Sequence, residues 1–591
     1  MESKEQSLRF LTLEGKIIIP FFQRTYVWNE ENWEELFEEL SNNGEKTKFL
    51  GAIILKQLQT NTGEPKKLEV IDGQQRLTTI SILIKTLFDN LQEDDKKQIE
   101  NDIKQILFFK RDAFGKEEIR IDHSNVDKVA FESVLNGVSI ENINEKSHRI
   151  LKCYKYFFEK INSIERQEDR NQLIKNLLNT LLNTENKMLV VIDLKENDDE
   201  QKIFDTLNTA GVTLTSAEII KNALFKKYIE LIDKEKAISF YKNTWENTFL
   251  INKDTTEYWE TERLTGRLKR DNIEILLHSI GVIKGFFDPD QHVLSELSKL
   301  YKKKIHEFND IEELKSFIEE IIGYAKIYKE NMINFDNDVS LSFDDNLNRL
   351  LHILDVLEIS TFHPFILYVL KKNQKQGQKT LLLNLEKFII RNLLSNKYPT
   401  KNYNKLCKQF INDNNELNKK LEELTIDNCI NGLKHINNKY ATLILFWIEL
   451  YRRNNDSKYD IKELKYDYSL EHIMPQSWED NWSFDKVPHP NTSISGENSV
   501  EKKLNDRKEK IDWIGNMTLL RSKLNSSLKN SDFEKKMNGE NRKKGIIAYA
   551  DLSITKDDIV TPFNNGDKIW NEDKIEKRTN SLFNEIKKIW G

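Results

Sequence analysis

Two stretches of the chain carry residue types whose spacing suggests chemistry. The first reads Val70-Ile71-Asp72-Gly73-Gln74-Gln75-Arg76-Leu77-Thr78-Thr79. A short strand pattern precedes it. An amphipathic helix pattern follows, with apolar residues at Leu77, Ile80, Leu83, Ile84, Leu87, Phe88 and Leu91. Residues 72–76 therefore fall at a strand-to-helix turn. Free first-turn N–H groups and the helix dipole make such a turn an anion site. Gly73 lets the backbone approach a ligand, and Gln74 and Gln75 add amide groups beside it. Arg76 offers a planar donor fork matched to phosphate. Asp72 could hold a metal ion or orient a water. The competing reading is a capped turn with Arg76 in a surface ion pair.

The second stretch begins at Glu471-His472 and continues through Gly515-Asn516 to Asn525. An acid–His pair, a central Gly–Asn and a second Asn nine residues on follow the order of an HNH nuclease. The chemistry explains the types. Phosphodiester hydrolysis needs a base to activate water and a Lewis acid for the phosphate oxygens. His472 is the candidate base, and Asn516 the residue that holds its loop and ring. Glu471 and Asn525 are oxygen ligands suited to one hard divalent ion, Mg²⁺ or Mn²⁺. Residues 501–545 hold thirteen Lys/Arg against seven acids, a local charge of +6 that suits phosphate contact. The competing reading is a charged helical tail with a structural histidine.

Smaller groups accompany the turn. Gln23 and Arg24 sit among Phe21, Phe22, Tyr26 and Trp28, where the aromatics read as core. Asn208 and Gly211 mark a later turn, and Thr215 with Glu218 forms a capping box for a helix carrying Lys221. Asn208 and Lys221 could face the same site as Arg76, although Lys221 also reads as a solvated helix residue.

The elements behind these groups follow from pattern. Residues 49–58 and 67–71 read as paired strands delivering the turn, with further strands at 16–20 and 187–194. Residues 30–40, 94–108, 126–135 and 147–161 read as helices, and residues 226–455 as entirely helical. A polar loop rich in Ser, Asn and Pro follows residue 476, and Ser531 is positioned to cap a last helix. With 591 residues, 38% apolar and 31% charged, the chain suits a soluble helix-rich α+β protein of several domains. The expected boundaries are 1–225, 226–455 and 456–591. A net charge of −6 gives no global nucleic-acid footprint. Three scattered cysteines, no leader-like apolar run and no run of ~20 apolar residues point to a cytoplasmic protein off the membrane.

Residues 20–28 (PFFQRTYVW), 72–76 (DGQQR) and 208–222 resemble the N-terminal domain of GmrSD-type modification-dependent restriction enzymes. The motifs around Glu471 and Asn516 resemble the HNH domain that ends the same enzymes, which have SspE- and BrxU-like phage-defence relatives. The resemblance implies a ParB/sulfiredoxin-like first domain, a helical middle and a ββα-metal nuclease domain. It implies GTP or another NTP bound at Gln23, Arg24, Asp72, Gly73, Gln74, Gln75, Arg76, Asn208 and Lys221. His472, Asn516 and Asn525 carry over as nuclease residues and Glu471 as a metal ligand. The family's Gly-x-His-Arg loop has Gln75 in place of histidine here. The implied activity is nucleotide-regulated, metal-dependent cleavage of modified phage double-stranded DNA, type IV restriction in antiviral defence, with a homodimer as candidate assembly. Two rivals stand beside it: a non-catalytic nucleotide-dependent DNA clamp, and nuclease chemistry in the ParB-like domain.

Overall fold

The computed structural model describes residues 2–41, 49–58, 60, 65–110, 116–123, 125–144, 147–194, 215–265, 268–332, 339–372, 375–490, 499–524 and 526–591. The chain divides into two compact units, Met1–Tyr241 and Lys242–Gly591. It is mostly helical with one larger sheet, α+β overall.

The first unit is built on a six-stranded mixed sheet. Its strands are β1 (Glu2–Gln6), β2 (Lys16–Ile18), β3 (Gly51–Leu58), β4 (Lys67–Asp72), β5 (Ile121–Asp122) and β6 (Leu189–Leu194), in the order β1-β6-β3-β4-β2-β5. β3 and β4 run antiparallel, and a register shift at Ile54/Leu55 brings Ile54 opposite Asp72. Strand alternation sorts the side chains. Ile53, Leu55, Leu68 and Val70 enter the main core, whereas Ile54 and Ile192 join Ile71 in a small cluster on the other face.

Helix α1 (Gln74–Asp89) follows β4 directly, with Gly73 as N-cap at φ +92°. Its apolar stripe is buried as expected, and so are Thr78, Thr79, Ser81 and Thr86. Each of these hydroxyls donates to the carbonyl four residues back, which makes their burial tolerable. The polar face is covered because α2 (Arg149–Asn162) packs on it. α3 (Ser216–Leu231) lines one cavity together with Ile71 of β4. Its Thr215 cap and Glu218 form the expected capping box.

The second unit holds the middle region and the C-terminal elements. The middle is not wholly helical: Glu262–Thr265 pairs with Leu268–Asp271, and Ser340–Ser342 with Glu463–Lys465. Strands this short leave too few alternations to show in a sequence. The buried helix α4 (Asn438–Asn455) packs against C-terminal elements. Its Arg452 bridges Asp558 at 2.9 Å and Glu585 at 2.7 Å, so the expected boundary after residue 455 falls inside this unit. β7 (Ser469–His472) pairs antiparallel with β8 (Met517–Leu520), Glu471 opposite Thr518 and His472 opposite Met517. Between them lies α5 (Ser499–Ile511), within the stretch expected as loop. The short helices α6 (Ser526–Lys529) and α7 (Phe533–Asn538) follow, and α8 (Glu572–Trp590) ends the chain. α7 is capped by Asp532 rather than Ser531, and it is not the last helix. Among the described residues no helix is long and apolar enough to cross a membrane.

Candidate functional site

At the turn of the first unit, the sequence-expected residues divide into clamps and candidates for ligand contact. Gln75 is 6% exposed. Its Oε1 accepts from the Val27 and Trp28 amides at 2.8 and 3.3 Å, and its Nε2 donates to Thr25 O at 3.1 Å. Gln74 Nε2 donates to Arg24 O at 2.8 Å, and Gln23 Nε2 to Val70 O at 2.6 Å. The three glutamines therefore bind residues 23–28 to β4 and α1. Tyr26 completes the tie, with its hydroxyl 2.6 Å from Thr79 Oγ1 and receiving the Trp33 indole N–H at 2.8 Å. Phe21, Phe22 and Tyr26 are core, as read from sequence.

Arg76 is half-buried. Its Nη1 donates to Ala52 O at 2.8 Å, and its guanidinium lies on Gly51, where an added Cβ would come within 2.6 Å of Cζ. Gly51 also has φ +105°, so it is a glycine on two counts. Burial pulls the Arg76 pKa down, and nearby Asp72 opposes this. The first-turn amides of α1 have no intrahelical acceptor by geometry.

Lys221 is 5% exposed on α3 and does not read as solvated. Burial lowers its pKa, Glu218 opposes, and the Arg24 guanidinium lowers it further. Among the described residues its ammonium makes no hydrogen bond or ion pair. A buried cation set near a second cation is costly unless an anion completes the group. Asn208 lies outside the described residues. A cavity of about 350 Å³ adjoins the turn, sharing Gln23 and Ile71 with it and lined further by Phe22, Asn222 and Lys226.

In the second unit, the C-terminal constellation forms around the β7–β8 pair. His472 stands at the end of β7, and its buried Nε2 has no hydrogen-bond partner among the described residues. Burial first, then the Lys536 ammonium, lowers the imidazole pKa; Glu471 and Asp512 oppose. The ring is thus biased to its neutral, basic form. Asn516 is fully buried. Its Oδ1 accepts from the Met474 amide at 2.9 Å and the Trp570 indole at 3.1 Å. Its Nδ2 donates to Met474 O and Ile511 O, both at 2.8 Å. Asn516 therefore fixes the main chain just beyond His472, not the ring. Gly515 permits the approach of α8: a Cβ there would lie 2.1 Å from Ile575 O. Arg578 of α8 then donates to Gly515 O at 2.9 Å and Met517 O at 2.6 Å.

Glu471 Oε1 lies 2.8 Å from the Nζ of fully buried Lys536. Asn525 lies outside the described residues. Among the described residues no group of three or more His, Cys, Asp or Glu side chains is set to hold a metal. Of the expected ligand pair, Glu471 thus already carries a cation on one oxygen. His472 Nε2 is an open donor atom among the described residues.

The basic run is less of a surface than its sequence suggests. Arg507 is fully buried, paired with Glu572, and donates to Val487 O at 2.8 Å. It lies between the Trp478 and Phe484 rings, 5.1 and 4.2 Å from their centroids. With Lys536 it removes two of the thirteen cations from the face available to a phosphate backbone. Sequence reasoning missed Gly51, Lys536, Trp570 and Arg578. All four act through tertiary contacts that no local pattern announces.

Residues 7–225 match the GmrSD restriction endonuclease N-terminal domain, and residues 418–585 match the GmrSD restriction endonuclease C-terminal domain. Residues 226–417 lie outside both matches. The chain is also similar to an uncharacterized protein of Methanocaldococcus jannaschii, 25% identical over 257 residues. That match covers 37% of this chain and spans 41% of the length of that curated relative.

Proposed function

Because the chain belongs to the GmrSD restriction endonuclease family, we propose that it is a DNA endonuclease whose bond-breaking group is His472. The observation that carries this is the buried Nε2, unpartnered among the described residues, of an imidazole biased to neutrality on a strand pair locked by Asn516. A neutral imidazole with a free nitrogen can take a proton from the attacking water. Asn516 keeps the His472–Met474 main chain fixed while it does so. A hard divalent ion, Mg²⁺ or Mn²⁺, supplies Lewis acidity to the phosphate when bound, with Asn525 as its candidate amide-oxygen ligand. We read the β7–β8 pair with α6 as an HNH ββα unit, and the six-stranded sheet as ParB/sulfiredoxin-like.

The turn after β4 is assigned to nucleotide phosphates, with GTP favoured, and to control of cleavage. Arg76, the α1 amides and Lys221 bind the anion, while Gln23, Gln74 and Gln75 hold the wall that carries Arg24. The support is Lys221: a buried ammonium that makes no hydrogen bond or ion pair among the described residues is stabilised by an arriving phosphate. The substrate is modified phage double-stranded DNA, as in type IV restriction. Incubating supercoiled modified DNA with Mn²⁺, with and without GTP, tests both parts. His472→Ala should abolish cleavage, and Arg76→Ala should abolish the nucleotide effect. Cleavage lost in Asp72→Ala but retained in His472→Ala would move the chemistry to the first unit. No cleavage under any condition would favour the clamp.

A further inference from the structure

Lys536 has an environment unlike that of the other lysines of the basic run. Its side chain is fully buried, and all three ammonium protons have oxygen acceptors. Nζ lies 2.8 Å from Glu471 Oε1 and 2.8 Å from Lys529 O, and it donates to the main-chain carbonyl of His472. Three donors meeting three acceptors is the full valency of an ammonium. A buried ion pair is tolerated only under such saturation.

The three acceptors come from two elements, and the donor from a third. Glu471 and His472 end β7. Lys529 O is a C-terminal carbonyl of α6, one of the groups a helix leaves unpaired. Lys536 itself lies on α7. The ammonium is therefore a cross-tie joining the strand that carries His472 to both short helices. It also occupies one of the two oxygens that Glu471 could offer a metal, and a divalent ion on the other would face a fixed positive charge in a buried pocket, where like charges repel strongly.

We propose that Lys536 is a positioning residue for His472 and that Glu471 is its counter-ion, not a ligand of the catalytic metal. This rests on His472 as the nuclease base. The acid of the acid–His pair then serves to keep an ammonium buried, and the ammonium serves to fix the His472 carbonyl.

The test uses the full chain and two readouts, Mn²⁺ affinity by titration calorimetry and single-turnover kinetics on modified plasmid DNA. Glu471→Gln retains an acceptor for Lys536. It should leave the Mn²⁺ affinity within about twofold and lower kcat less than tenfold. The double variant Glu471→Gln/Lys536→Met leaves no unpaired buried charge and guards against simple unfolding. It should hold its Mn²⁺ affinity and lose at least a hundredfold in kcat with KM unchanged. A tenfold or greater loss of Mn²⁺ affinity in Glu471→Gln would make Glu471 a ligand and overturn the assignment. Unchanged kcat in the double variant would remove Lys536 from the site. A parent chain that binds no Mn²⁺ would contradict the metal proposal above and leave Lys536 to be decided by kcat alone.

Discussion

Replacing Asn516 by alanine removes four hydrogen bonds from a site with no solvent access. The Met474 amide and the Trp570 indole N–H lose their acceptor, and the carbonyls of Met474 and Ile511 lose a donor. A buried donor left without a partner costs about 1–3 kcal/mol, and a carbonyl with a second lone pair costs less. Two donors give about 2–6 kcal/mol, with about 4 kcal/mol as the central expectation for loss of stability in the second unit. The functional loss has a separate origin. Met474 is two residues beyond His472, and freeing its main chain widens the range of positions available to the imidazole. A misplacement of about 1 Å in a reacting group costs on the order of a hundredfold in rate. Urea unfolding of parent and Asn516→Ala gives the stability difference. Single-turnover cleavage at a temperature where both are folded gives the rate. A variant with the parental midpoint and parental rate would show that the four bonds do not hold the His472 loop.

Other perturbations separate structural from functional roles. Lys221→Met removes a buried ammonium that makes no hydrogen bond or ion pair among the described residues, so the first unit should gain about 1–3 kcal/mol while nucleotide affinity falls at least tenfold; a variant that lost stability and kept its affinity would make Lys221 structural. Arg507→Met leaves the Glu572 carboxylate buried without its partner and should cost about 3–5 kcal/mol, read by thermal unfolding, whereas a surface arginine would cost almost nothing. Burial holds His278 and His363 down at about 3 and His352 at about 4, so unfolding in the second unit takes up protons below the ordinary value of 6.5. Stability from these groups is therefore present above pH 6.5 and is lost as the pH falls toward 4. Asp271, raised to about 6, opposes with about one proton. The net of about two protons corresponds to about 3 kcal/mol per pH unit near pH 5. His278→Leu should flatten urea midpoints measured at pH 7, 6 and 5 by about one proton, and an unchanged slope would contradict the assignment.

Local pattern revealed much of the first unit. Strands alternating into a turn, the Gly73 break and the Thr215–Glu218 capping box are short-range signals, and each is found where its residues pointed. The helix after residue 498 was not legible. Its charged sequence resembles a solvated loop until Arg507 is seen buried against Glu572. The same contrast runs through the candidate sites. His472 and Asn516 stand out by type and spacing. Lys536 does not, because its role depends on oxygens 7 and more than 60 residues away in sequence. Gln75 occupies the place where the resemblance implies a histidine, and its amide is spent on the main chain of residues 25–28. Whether a glutamine faces a ligand or clasps a loop is a property of the packed structure. Lys221 shows the reverse error: its position on a capped helix suggests a solvated residue, and only the packing around α3 reveals it as a buried cation.

The most direct test of the account is cleavage of modified phage DNA by the full chain with Mn²⁺, parent against His472→Ala, with thermal unfolding to show that the variant is folded. The account predicts nicks or breaks from the parent and at least a thousandfold loss from a folded His472→Ala. A folded His472→Ala protein that cuts at the parental rate would contradict it.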